Sequence, residues 1–136
     1  MADTFQFEIV TPEKLVASGE AEEMQIPAKN GYIGVLPQHA PLITELALGE
    51  ISYRLGGKTE RLAVAWGFAE VLPDRVTVLA ETAERAADID VERARRSRDR
   101  ATQRISHAHS DTDFERACAS LKRAETRLEV ADKGVS

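Results

Sequence analysis

Three groups of residues carry side chains that could do chemistry. His39 lies between Pro37 and Pro41 and is of the residue type most often used for acid–base chemistry. No serine or cysteine nucleophile in a recognisable motif lies near it, so a structural or interface role is expected. His107, His109, Asp111 and Asp113 alternate along one segment, offering the imidazole and carboxylate ligands that suit zinc or nickel. In a polar turn the same residues cap a helix and meet solvent, and no metal is expected there. The third group is arginine. Positions 90–106 hold Arg93, Arg95, Arg96, Arg98, Arg100 and Arg104 against Asp90, Glu92 and Asp99. Such a stripe is a solvated helix face, a nucleic-acid surface or a seat for an acidic partner. The absence of a reader motif and of interleaved aromatics argues against nucleic acid.

The elements that hold these groups divide the chain in two. All 5 prolines, and every glycine but Gly134, lie in the first 73 of 136 positions. Of the aromatic residues only Phe114 lies later. Residues 1–83 carry net charge −6 and residues 84–136 net +1. The first part alternates as short strands do. Phe5, Phe7 and Ile9 face one way, as do Ile51, Tyr53 and Leu55, and then Leu62, Val64 and Trp66. Asn30-Gly31, Gly56-Gly57 and Pro73-Asp74 read as turns, and Gly67 as a bulge. The spacing predicts a small sandwich or barrel. After about residue 82 the period becomes helical. Asp90 caps a first helix with Val91, Ala94, Ala101 and Ile105 on its seam, where Arg98 fills the missing position. Phe114, Ala117, Cys118, Leu121, Ala124, Leu128 and Ala131 make the seam of a second, capped by Asp111 or Asp113. An alanine-rich seam gains little from burial, so this αα-hairpin needs the sandwich, a ligand or a partner to hold it.

Composition excludes several classes. One cysteine, Cys118, cannot form an internal disulfide and fits a reducing compartment. The N-terminus lacks a basic segment followed by an apolar run, so no secretory signal is expected. The longest apolar stretch, 62–69, is far short of the roughly 20 residues of a membrane helix.

The segment Gly31-Tyr32-Ile33-Gly34-Val35-Leu36-Pro37-Gln38-His39-Ala40-Pro41-Leu42 closely resembles a motif of the epsilon-subunit family of F-type ATP synthases. The resemblance continues through Trp66-Gly67-Phe68-Ala69-Glu70-Val71, Val76-Thr77-Val78-Leu79-Ala80-Glu81, Ile89-Asp90-Val91-Glu92-Arg93-Ala94 and Asp111-Thr112-Asp113-Phe114. It implies an α+β fold, with a ten-stranded β-sandwich at 1–84 and a linker with a regulatory two-helix hairpin at 85–136. It also implies a non-catalytic rotor subunit of the bacterial type, bound to gamma and seated on the c-ring, that couples them for proton-driven synthesis. Asn30, Gly31, Tyr32 and His39 match surfaces that face gamma or the ring. An extended hairpin would restrain ATP hydrolysis, with Arg93, Arg96, Arg100 and Arg104 against an acidic surface of the catalytic β subunit in the αβ head. Ile89-Asp90-x-x-Arg93-Ala94 matches a motif by which some members bind a regulatory ATP. Asp90 would then meet the adenine amino group. Arg93, Arg100, Arg123 and Arg127 would hold phosphates, with Glu84 nearby. The protein would reach the cytoplasmic face of the inner membrane only through the complex, and no cofactor is required. The alternative from the residues alone is a sandwich binding module whose basic hairpin recruits an acidic protein or nucleic acid.

Overall fold

The structure is a computed structural model that describes residues 3–134; the outermost positions of the expected 1–84 and 85–136 units lie outside the described residues. The first part consists of β1 (Phe5–Val10), β2 (Leu15–Ala21), β3 (Glu23–Ala28), β4 (Gly31–Val35), β5 (Leu42–Glu45), β6 (Gly49–Leu55), β7 (Lys58–Val71) and β8 (Arg75–Arg85). A 3₁₀ turn (Ala86–Asp88) leads into α1 (Val91–Ser106) and α2 (Asp111–Lys133).

The strands form one mixed sheet in the order β2-β1-β8-β7-β6-β3-β4, with β5 joined to β7. β1 runs parallel to β8, and the other strand pairs are antiparallel. β7 is shared along its length. Its first half pairs with β6, from Leu55↔Lys58 to Gly49↔Val64. Its second half pairs with β5, from Glu45↔Phe68 to Leu42↔Val71. The sheet folds over on itself as a sandwich. Phe7 on β1 and Tyr53 on β6, strands that are not neighbours in the sheet, bring their ring centroids to 4.4 Å. Ile9, Met24, Ile26, Ile51, Leu62 and Val78 fill the space between.

Eight continuous strands are present among the described residues, not ten. The difference lies in β7 and β8, each long enough to count as two. β7 is irregular at Trp66 without ending there. The register with β8 stays constant, Ala65 pairing with Thr82 and Gly67 with Ala80, so Trp66 and Glu81 leave the pairing together and the bulge expected at Gly67 inserts no extra residue. Trp66 has φ 58° and Gly67 φ 116°. A Cβ on Gly67 would lie 1.9 Å from the Leu79 carbonyl oxygen, so only glycine lets the two strands close at this point. The two positive-φ residues also reverse the alternation. Leu62 and Val64 point into the core before it, and Ala69 and Val71 after it. Trp66, expected inward beside Leu62 and Val64, is therefore exposed, and Phe68 turns outward.

The turns follow backbone chemistry. Gly56 and Gly57 both take positive φ, as a two-residue hairpin between right-twisted strands requires. At the β3–β4 turn the register is one residue earlier than expected: Lys29 and Asn30 make the turn, and Gly31 opens β4. Leu55, expected inward, is exposed at the end of β6.

Two helices close the chain and pack along each other. Asp90 Oδ1 accepts the Arg93 N–H at the start of α1. Ser110, rather than Asp111 or Asp113, caps α2; its Oγ accepts the Asp113 N–H at 3.1 Å. The buried residues of the helices are Ala94, Ala101, Ala117, Ala124 and Val130. Phe114, expected on the seam, is exposed because it sits in the first turn of α2, beyond the sandwich. Val130 is the larger anchor. It packs with Ala63 on β7 and Ile89, flanked by Ala86 and Ala131. No helix among the described residues is long and apolar enough to cross a membrane.

Candidate functional site

The outer face of β7 and β8 has two regions, separated at Trp66. Before Trp66, Ala63 and Ala65 lie beneath α2 or line the cavity beside it. After it the face is open. Phe68 pairs with Leu79, Leu79 with Val10, and Val10 with Leu15. These four side chains form one apolar row across β7, β8, β1 and β2. Phe68 is 53% exposed, Leu79 56% and Leu15 52%; on β5, Ile43 is 71% exposed. Clustered exposure of this kind marks an interaction surface, whereas single exposed apolar residues are ordinary. The row was legible only with the positive-φ pair Trp66 and Gly67 known, because the alternation on either side of it has opposite phase.

The expected contact residues do not converge. The β3–β4 turn with Asn30 and Gly31 lies at one end of β4, and the His39 loop begins beyond the other end. The Tyr32 ring is exposed, while its hydroxyl accepts the Glu50 N–H at 3.0 Å and ties β4 to β6. Nδ1 of His39 lies 2.6 Å from the Ala40 carbonyl oxygen, and the neighbouring Gln38 N–H donates to Pro73 O at 2.8 Å. His39 thus belongs to a loop fixed against the β7–β8 turn.

Nor do the alternating histidines and aspartates form a cluster. Nδ1 of His107 lies 2.8 Å from Gln103 O, and Asp113 engages the Ser110 cap through its backbone. No group of three or more such ligands converges among the described residues.

The arginines gather between the helices and the sheet. A cavity of about 220 Å³ is lined by Leu48, Ala65, Thr82, Glu84, Arg123 and Arg127, among others. Glu84 on β8 pairs with Arg127 on α2 at 2.6 Å. The Arg127 Nε is buried without a hydrogen-bond partner. Arg123 and Arg127 also line a second cleft with Arg100 and Arg104. Five of the expected nucleotide and inhibitory residues (Glu84, Arg100, Arg104, Arg123 and Arg127) therefore share connected clefts. Asp90 and Arg93 meet instead in the α1 cap, and Arg96 is exposed on α1 away from these clefts. A second charged group fixes the far end of α2. Lys133 Nζ lies 3.2 Å from Glu50, Arg61 lies 3.8 Å from the same carboxylate, and Arg61 donates to Gly134 O at 3.4 Å.

The profile described as ATP synthase, Delta/Epsilon chain, beta-sandwich domain matches residues 4–86, and that of the long alpha-helix domain matches residues 87–132. The chain belongs to the ATP synthase Delta/Epsilon chain family. It is 69% identical over 105 residues to the ATP synthase epsilon chain of Koribacter versatilis, covering 77% of this chain and 74% of that relative. It is 47% identical over 130 residues to that of Nitratidesulfovibrio vulgaris strain DP4, covering 96% of this chain and 97% of the relative. The fold is also similar to a chain in the Euglena gracilis mitochondrial ATP synthase OSCP/F1/c-ring structure, with TM-score 0.81, 21% identity and coverage of 96% of this chain and 82% of that one. A chain of the Tetrahymena thermophila mitochondrial ATP synthase central stalk/c-ring gives TM-score 0.54 at 12% identity, covering 95% and 94%.

Proposed function

We propose that this protein is the epsilon subunit of a bacterial F-type ATP synthase, a central-stalk component without catalytic chemistry of its own. It joins gamma to the c-ring during proton-driven ATP synthesis and restrains ATP hydrolysis through its helices. The sandwich, residues 1–84, is the mount, and 85–136 form a linker and an antiparallel regulatory hairpin. The protein sits at the cytoplasmic face of the inner membrane through the complex.

The row Phe68, Leu79, Val10 and Leu15 supports this reading most directly. It offers an apolar, open sheet face for gamma, while the helices occupy the other part of that face. Asn30, Gly31, Tyr32 and His39 supply contacts at gamma or the ring from the two ends of β4. When the hairpin extends, Arg93, Arg96, Arg100 and Arg104 meet an acidic surface of the β subunit through bidentate guanidinium–carboxylate pairs. When it is folded, Glu84, Asp90, Arg93, Arg100, Arg123 and Arg127 hold a regulatory ATP. The clefts at Arg100, Arg123 and Arg127 support the phosphate end of that site.

The test is titration into a gamma-containing catalytic subcomplex. The full chain binds and lowers ATPase activity, and a chain ending at residue 84 binds without lowering it. Leu79→Glu places a charge inside the apolar row, between Phe68 and Val10, and weakens binding by at least about 2 kcal/mol, roughly thirtyfold. Undiminished binding by that variant, with its fold intact, would show that the row is not the gamma surface.

A further inference from the structure

Both helices carry the same spacing of arginine and serine. In α1 it is Arg93-x-x-x-Ser97-x-x-Arg100-x-x-x-Arg104, and in α2 Arg116-x-x-x-Ser120-x-x-Arg123-x-x-x-Arg127. In each copy the serine receives the arginine three residues on. Arg100 Nη2 donates to Ser97 Oγ at 3.2 Å, and Arg123 Nη2 donates to Ser120 Oγ at 3.1 Å. Offsets of three and four place each set on one helix face.

The two sets meet. Ser97, Arg100, Arg104, Ser120, Arg123 and Arg127 line one cleft of about 160 Å³ whose base is Ala101 and Ala124. Arg104 and Ser120 continue into a neighbouring cleft of about 300 Å³, with Arg116, His107 and Asp113. Arg116 to Arg127 spans about 16 Å of helix, at 1.5 Å per residue. Among the described residues, Arg100, Arg104, Arg116 and Arg123 form no ion pair, and Arg127 pairs with Glu84. The acids of α1 pair on the other side of the helix pair, Glu92 with Arg95 and Asp99 with Arg98, where Arg95 and Arg98 line a separate cleft with Leu128 and Asp132 of α2.

We propose that this groove binds linear polyphosphate chains, with Arg104 and Arg116 extending the phosphate contacts of Arg100, Arg123 and Arg127. The groove is narrow and floored by alanine, which suits a thin ligand without side groups. Guanidinium forks match phosphate oxygens bidentately. No Phe, Tyr or Trp side chain lines either cleft, and the one imidazole, His107, is held by its contact with Gln103 O, so bases of a single-stranded nucleic acid find no stacking platform. The ligand chemistry is a chain of phosphoanhydrides, either free or as the tail of a nucleotide. The proposal shares three arginines with the regulatory ATP site and goes beyond it in length.

The experiment is calorimetric titration of the full chain with ATP, inorganic tripolyphosphate and a longer inorganic polyphosphate at several salt concentrations. The longer chain binds at least about tenfold tighter than tripolyphosphate, because each added arginine–phosphate contact is charge-assisted. Arg104→Gln with Arg116→Gln removes that advantage, lowers the slope of log affinity against log salt by about 2, and leaves ATP binding unchanged. Arg95→Gln with Arg98→Gln removes equal charge from the cleft on the other side of the helix pair and leaves long-chain binding intact. Melting curves identify any variant that has lost its fold. Equal affinity for short and long chains overturns the proposal, as does an equal loss from the two double variants. If ATP binds but chain length has no effect, the groove proposal fails and the nucleotide reading stands. If long chains bind as described and ATP does not, the nucleotide reading fails and the groove proposal stands.

Discussion

Glu23 shows how a single charge is set by its neighbours. Arg54 Nη2 donates to its carboxylate at 3.1 Å, and Arg54 Nη1 reaches Glu22 at 3.0 Å. The hydrogen bond from Arg54 holds Glu23 below its ordinary value of 4.5; the Gln25 amide adds to this, and burial opposes it. The folded chain therefore binds fewer protons here than the unfolded chain in the acid range. Stability from this group is fully present above 4.5 and is lost as pH falls through the lower folded value. The pair is partly exposed, so its contribution is within the range of about 0–1 kcal/mol. Urea midpoints of the wild type and Glu23→Gln should differ near neutral pH and converge as pH falls below the lowered folded value, with m unchanged. A difference that persists in acid would remove the carboxylate as its source. None of this was legible beforehand, because Glu23 and Arg54 are distant in sequence and meet only where β3 pairs with β6. His39, by contrast, was legible as a residue of a stiff loop, since that reading needed only its flanking prolines.

At the scale of elements, the sequence carried most of the fold. Alternation marked β1 and β6, paired glycines marked the β6–β7 turn, and the change to helical period marked α1 and α2. What it missed follows from one geometric device. Two consecutive positive-φ residues, Trp66 and Gly67, reverse inward and outward phase within an unbroken strand while its register with β8 is kept, so a pattern read across Trp66 puts Trp66 inside and gives no outward place to Phe68. The apolar row was hidden for the same reason. The helix seam was legible as alanine-rich, but its anchor was not, because Val130 is buried by β7 and not by α1. That placement gives a prediction. Val130→Ala removes buried apolar volume at the contact between α2 and the sheet and should weaken it by about 1.5–3 kcal/mol. Hydrogen exchange in the last turns of α2 should speed by at least about tenfold, while amides in the β1–β8 core keep their rates. Equal acceleration in both would show that the helices and the sandwich open as one unit.

For the whole molecule, the two parts are held by forces of different kinds. The sandwich is closed by a continuous core from Phe5 to Ala80, whereas the helices rest on Val130, a thin alanine seam and ion pairs. Glu84–Arg127 and Glu50–Lys133 bridge sheet to α2, and Arg61, paired with Glu50 within the sheet, reaches Gly134 O at the end of α2. Surface pairs contribute about 0–1 kcal/mol each and weaken in salt. Added to the burial of one valine and some alanine, they leave the helices held by only a few kcal/mol, less than the roughly 5–15 kcal/mol of a whole domain. The helices should therefore open sub-globally, and salt should act on the two parts differently. Between about 0.05 and 0.5 M sodium chloride, amides of α1 and α2 should lose protection while those of β7 and β8 keep theirs. Glu50→Gln should reproduce much of the loss at low salt, because one carboxylate holds both Arg61 and Lys133. A salt-independent helix opening would mean that apolar contact alone holds the two helices down, and the charged clasp at the end of α2 would then have no part in their release.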